Sequence, residues 1–212
     1  MRPSTHLLAL VLLPLFALGA QAAPDPIDSL AQDVERLDSL RQVKDLQRAY
    51  VHLAQAGQWN AMGALFTKDA QFIRGEERVA GSAAIAKWLT QNRGRGRQGL
   101  APGALHFEMI DQPLANLSPD GESAKVRWDG LLFAGDGQGR TLIEGGIYEN
   151  EYRRDGGAWK ISVSRYFPQY DGDYDRGWRN TNNADLPIVP YHFTLEESGI
   201  PLPPASQPAP RS

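Results

Sequence analysis

Outside its first 22 residues the chain offers three histidines, His52, His106 and His192, and it has no cysteine at all. Imidazole is the side chain whose ordinary pKa lies nearest neutrality, so each histidine is a candidate proton carrier. The three are far apart and lack the short helical spacing of zinc ligands, so no metal site is expected. Without thiols, disulfides, thiolate metal sites and cysteine nucleophiles are excluded. No Gly-x-Ser-x-Gly element is present to raise a serine nucleophile. What remains is acid–base chemistry, in which His, Tyr, Asp or Glu moves a proton on an organic molecule.

Two motifs resemble cofactor sites and fail on context. Gly94-Arg95-Gly96-Arg97-Gln98-Gly99 has the letters of a dinucleotide fingerprint, but it follows a helical pattern and precedes a Pro/Gly loop. A phosphate site needs strand, turn and helix N-terminus in that order. Its arginines, with Arg93, make a basic loop that either stays solvated or meets an anionic group of a substrate. Asp171-Gly172-Asp173-Tyr174-Asp175 is similar to a calcium loop, yet Arg176 stands at the sixth position and Asn182 at the twelfth, where glycine and glutamate belong. No cofactor is therefore expected.

The elements that must position these groups follow from periodicity. Hydrophobic residues make up 42% of the 212 and charged residues 22%, a globular composition. The formal net charge of −3 argues against nucleic-acid binding. Arg2, an apolar run from Leu7 to Ala20 and Ala20-Gln21-Ala22 have the layout of a secretory signal peptide. Residues 1–22 are thus expected to be removed, leaving an exported protein, periplasmic or secreted, with no membrane segment. From Ile27 to Ala56 apolar residues recur at threes and fours, which predicts an amphipathic helix capped by Asp28 and ended by Gly57. Ser39 and Gln42 are placed for a second capping box that would interrupt it. Shorter helices are expected over Trp59–Phe66 and from Ser82, as N-cap, to Gln91, with a strand over Ala70–Ile73. After Arg93 the pattern turns to strands over Leu105–Ile110, Ser123–Ala134, Thr141–Arg153 and Trp159–Phe167. Helices followed by an antiparallel meander give an α+β fold. The tail beyond Gly199 is Pro-rich and expected to be disordered.

Three stretches together resemble the SnoaL-like branch of the nuclear transport factor 2-like superfamily. They are Leu46–Tyr50 with Gly57-Gln58-Trp59 and Leu65-Phe66; Gly81–Leu89; and Gly146–Arg153 followed by Gly157–Ile161. The resemblance implies a cone-shaped α+β barrel, with N-terminal helices packed on a strongly curved antiparallel sheet around a largely apolar pocket. It places a 23–36 helical extension before a domain at 37–180, and a C-terminal extension over 181–212. Relatives include scytalone dehydratase and ketosteroid isomerase, which need no cofactor, and members that only bind ligands. A small-molecule partner and a homodimer through the outer sheet face are implied.

Site residues carry over from the resemblance one at a time. Leu105-His106-Phe107 is similar to the strand that supplies a pocket histidine, which makes His106 the general acid/base. Gln55 stands where relatives have an aspartate shortly before the tryptophan that opens the second helix, here Trp59. That change puts identical chemistry in doubt. Tyr148 occupies the place of a pocket asparagine and, with Tyr50, is expected to orient substrate or stabilise an oxyanion; Tyr50 fits a packing role equally well. Alternation puts Tyr148, Asn150 and Tyr152 on one strand face, and Trp128 on a face that forms a pocket wall. Asp129 and Glu144 are the acids expected inward if the register is reversed, where either could replace the missing carboxylate. The aromatic run Tyr166–Tyr170, with Tyr174 and Trp178, follows the last strand and suits a flap that stacks on substrate, or a cover for the sheet. The expected function is a cofactor-independent lyase, dehydratase or isomerase acting on a small apolar, aromatic or polycyclic molecule. The alternatives are an exported binding protein with the same cone, or a partner-binding domain.

Overall fold

The computed structural model describes residues 25–174. The expected leader, the Pro-rich tail, His192 and Trp178 lie outside the described residues. Helix α1 spans Pro26–Gln55, α2 Trp59–Ala64 and α3 Ser82–Asn92. Strands are β1 Phe66–Arg74, β2 Glu77–Ala80, β3 Leu105–Leu117, β4 Ser123–Gly135, β5 Thr141–Asp155 and β6 Ala158–Gly172. They form one sheet in the order β2-β1-β6-β5-β4-β3, antiparallel throughout except for the β1–β6 pair. The sheet is curved and unclosed, and α1 packs against it in an α+β cone.

Helix α1 runs unbroken. Asp25 rather than Asp28 caps it, accepting from the Ile27 amide. The expected interruption at Ser39 does not occur, because Ser39 is buried and its hydroxyl accepts from Arg154. From there Val43, Gln47, Tyr50, Val51 and Ala54 turn into the core. The first four apolar positions, Ile27, Leu30, Val34 and Leu37, carry the same spacing but are exposed. At Gly57, φ is +66° and a Cβ would strike the Gly99 backbone, so glycine both ends α1 and lets the 93–101 loop close on it.

Three element assignments change. Phe66 starts β1 instead of ending α2. Gly81, not Ser82, is the N-cap of α3. Tyr166–Tyr170 belongs to β6 and forms no flap beyond it. Pro168, which reads as a strand stop, is tolerated because β6 shifts register opposite Gly145 and Gly146. The aromatic core joins Tyr50, Trp59, Phe66, Phe72, Trp128, Tyr148, Tyr152 and Tyr166.

Candidate functional site

Strand β3 crosses β4 with His106 opposite Ala134 and Glu108 opposite Leu132. Before the register shift between Asp111 and Leu114 its even-numbered side chains enter the cone, so His106 and Glu108 both face inward, with side chains 10% and 8% exposed. His106 Nε2 lies 3.8 Å from Glu108 Oε2, a charge contact longer than a hydrogen bond. The Trp59 indole stands edge-on to the imidazole at 5.6 Å and fixes its plane.

Glu108 is held from the other side. The Tyr148 hydroxyl donates to its Oε1 at 2.5 Å, and Arg74 Nη2 donates to the same hydroxyl at 3.1 Å. Arg74 also lies 3.6 Å from Glu144 and 4.5 Å over the Tyr166 ring, which packs against Tyr148 at 4.6 Å. Room for these two phenols comes from glycine. A Cβ on Gly130 would touch the Tyr148 ring, and one on Gly146 would meet the Tyr166 hydroxyl at 2.5 Å.

Burial raises the pKa of Glu108, but His106, the Tyr148 hydroxyl and the Arg74 charge outweigh it and hold the carboxyl below its ordinary value. Glu108 is therefore ionised at neutral pH. Burial, then the Glu108 charge, pushes Tyr148 well up and Tyr50 up to about 12, so both phenols keep their protons. The Tyr148 proton is directed at Glu108, and this tyrosine completes the carboxylate rather than pointing a free donor at a ligand.

A cavity of about 260 Å³ reaches His106 between the 92–101 loop and the ends of β3, β4 and β5. Leu100, Ala101, Ala104, Leu105, Ala134 and Leu142 give it apolar walls, and Arg93, Arg95, Arg97 and Arg140 edge it. Among the described residues no group of three or more His, Asp or Glu is arranged to hold a metal.

The profile of the SnoaL-like domain matches residues 35–165, more than half of the chain. The chain belongs to the SnoaL-like family. Its fold is similar to a candidate scytalone dehydratase of Novosphingobium aromaticivorans (19% identity, TM-score 0.58, covering 67% of this chain and 91% of that one). It is also similar to the LinA-type3 hexachlorocyclohexane dehydrochlorinase of Novosphingobium barchaimii (16%, TM-score 0.56, 75% and 99%). A third is an NTF2-like protein with a cystatin-like fold from Novosphingobium aromaticivorans (21%, TM-score 0.53, 68% and 90%). At such identities the likeness establishes the fold. No curated protein matches the chain significantly.

Within this SnoaL-like domain the sequence-derived residues separate into two groups. His106, Tyr148, Tyr50, Trp59 and Tyr166 all belong to the aromatic and charged interior just described. Trp128, Asn150 and Tyr152 instead form a buried polar lattice with Gln47. Tyr152 donates to Gln47 Oε1 at 2.6 Å, Trp128 Nε1 donates to the Tyr152 oxygen at 3.0 Å, and Asn150 donates to both at 3.2 Å. Gln55 and Trp128 line a second cleft of about 360 Å³ between α1 and β3. Gln55 donates to the Glu108 carbonyl at 3.2 Å, so it touches the strand that carries the site and not the Glu108 carboxylate. The Tyr170 ring lies over Gly145, where a Cβ would meet it at 2.0 Å. Asp129 is exposed, whereas Glu144 faces Arg74 in the register as expected, not in a reversed one.

Glu108 and Arg74 are the residues that sequence reasoning missed. For Glu108 a signal existed, since it stands two positions after His106 on one strand and shares its face. Arg74 shares the face of Ala70 and Phe72 in β1, but the expected strand ended before it.

Proposed function

We propose that this protein is an exported, cofactor-independent lyase, dehydratase or isomerase that works by acid–base chemistry at His106 on a small, largely apolar, aromatic or polycyclic molecule. The observation that carries this reading is the pairing of an imidazole that lines the 260 Å³ cavity with an ionised, buried Glu108 beside it. The Glu108 carboxylate and the Trp59 ring flank the imidazole, which lines the cavity where a substrate proton would be taken. The proton leaves the substrate's carbon or hydroxyl, His106 receives it, and the imidazolium formed is balanced by Glu108. His106 then returns the proton to the leaving group for elimination, or to another carbon for isomerisation. Glu108 does on β3 what relatives resembling scytalone dehydratase do with a helix aspartate where this chain has Gln55. Tyr148 and Arg74 keep it charged, and Tyr50 and Trp59 fix the surrounding wall. The similar folds of a candidate scytalone dehydratase and a dehydrochlorinase support elimination chemistry.

The test is a thermal-shift screen of small aromatic compounds, followed by product analysis with each hit. Turnover should fall about 10²-fold or more in His106→Gln. Unchanged turnover in a folded variant removes His106 from the reaction. A second reading, an exported binding protein, is favoured by the amide at Gln55; it prevails if ligands bind but none is converted.

The outer face of the sheet supports a homodimer. Leu105, Phe107 and Met109 on β3 are 53%, 42% and 43% exposed, and Phe107 and Met109 sit beside Phe133 and Leu131 of β4.

A further inference from the structure

The cavity that reaches His106 is bordered by four guanidinium groups, Arg93, Arg95, Arg97 and Arg140, against the single carboxylate of Asp136. Asp136 is already engaged. It pairs with Arg95 at 3.2 Å and accepts from the backbone amides of Gln138 and Arg140. Among the described residues, no carboxylate pairs with Arg93, Arg97 or Arg140. Arg93 is half-buried, and its charge reaches inward far enough to stabilise the ionised form of the buried Tyr50.

The loop is built to stand there. Arg95 has φ +50°, the one non-glycine residue among those described with a left-handed backbone, a conformation that costs stability and is kept where the surroundings impose it. Gly94 is buried against the Trp59 indole, whose nitrogen a Cβ on Gly94 would meet at 2.4 Å. The Gly99 amide donates to the Gly57 carbonyl at 2.9 Å. Trp59 thus braces both His106 and the arginine loop. A solvated loop needs neither a strained residue nor an indole packed into its root.

We propose that this arginine border is an anion subsite, so that the ligand of the His106 cavity joins an apolar, ring-sized body to a carboxylate or phosphate group. The apolar walls take the body, and Arg93 and Arg140 bind the anionic oxygens, bidentately for a planar carboxylate. This rests on the cavity being the substrate site, and it narrows the substrate class from neutral aromatic compounds to aromatic oxyanions.

The probes are 2-naphthoate, its neutral isostere 2-naphthamide, benzoate and phenyl phosphate, titrated calorimetrically into the protein. At least one anion should bind, and the acid should bind at least about 10-fold more tightly than the amide. Preference for benzoate and naphthoate over phenyl phosphate, or the reverse, assigns the carboxylate or the phosphate class. Arg93→Gln with Arg140→Gln should weaken anion binding about 10-fold or more. Asp136→Asn keeps the acceptor for the two amides but removes the competing charge, and it should tighten anion binding, a gain that misfolding cannot produce. Equal affinity for acid and amide, no binding of any anion, or Asp136→Asn without effect on the anion that binds would overturn the subsite. Arginine-dependent binding without turnover of any aromatic acid would leave the subsite intact and count only against the acid–base reading.

Discussion

The two faces of β3 invert the usual arrangement of a sheet. Inside the cone the strand presents His106 and Glu108, one part of an ion-paired cluster with Tyr148 and Arg74. Outside it presents Leu105, at the rim of the His106 cavity, and then Phe107 and Met109, all substantially exposed. Burying a carboxylate is costly, and exposing three large apolar side chains forgoes hydrophobic stabilisation. A strand shaped only by stability would be turned over. On the proposed reading the inner face serves chemistry at a desolvated, paired imidazole, and the outer face would be covered by a second copy of the chain.

The largest expected effect is on the inner face. His106→Gln keeps the ring's approximate size but not its proton affinity, and substrate conversion should fall about 10²-fold or more while the fold persists by circular dichroism. Tyr148→Phe removes the hydrogen bond that holds Glu108 and leaves the carboxylate with Arg74 less well connected. We expect turnover to drop about 10-fold, with the pH profile of activity displaced as Glu108 loses a partner that keeps it ionised. If Tyr148→Phe lowers thermal stability without moving the pH profile, Tyr148 is only packing.

The outer face should respond in the opposite manner. Phe107→Lys places a charge among Met109, Leu131 and Phe133 without touching the His106 cavity. If that face pairs two copies, light scattering should show the solution mass halve while naphthoate affinity changes by less than about 2-fold. A wild-type monomer at micromolar concentration would remove the dimer, and with it the explanation for the apolar exterior.

How much of this was legible depends on range along the chain. The α+β order and the strand positions follow from local periodicity, and the family resemblance adds the inward direction of His106. Alternation alone points the other way, because Leu105-His106-Phe107-Glu108-Met109 reads as an apolar inner face with a polar exterior. Once His106 is turned inward, Glu108 follows by parity. Arg74 does not, because its approach to Tyr148 depends on the parallel pairing of Arg74 with Tyr166 in β6, 92 residues away and unmarked by any local pattern. Pro168 conceals the last third of β6, since its compatibility with a strand rests on the register shift across from Gly145. The exposed first half of α1 is a similar case. Ile27, Leu30, Val34 and Leu37 have the spacing of buried residues, but no described element covers them and they are exposed.

The smallest effect expected is a pH signature of the inner face. Glu108 has a folded pKa below its unfolded value of about 4.3. The stability it contributes is therefore complete above that unfolded value and is lost as pH falls through the lowered folded one. Glu108→Gln removes this contribution and keeps the side-chain volume. Urea midpoints measured from about pH 6 down to about pH 3 should fall less steeply in the variant than in the wild type. Exposed acids such as Asp38 and Asp120 are also lowered, Asp38 by Arg41 and Asp120 by Ser118, and they supply the acid dependence that remains in both proteins. Parallel slopes in the two proteins would mean that Glu108 is not held as an ion inside the cone. The inner face of β3 would then differ from the outer in composition but not in charge.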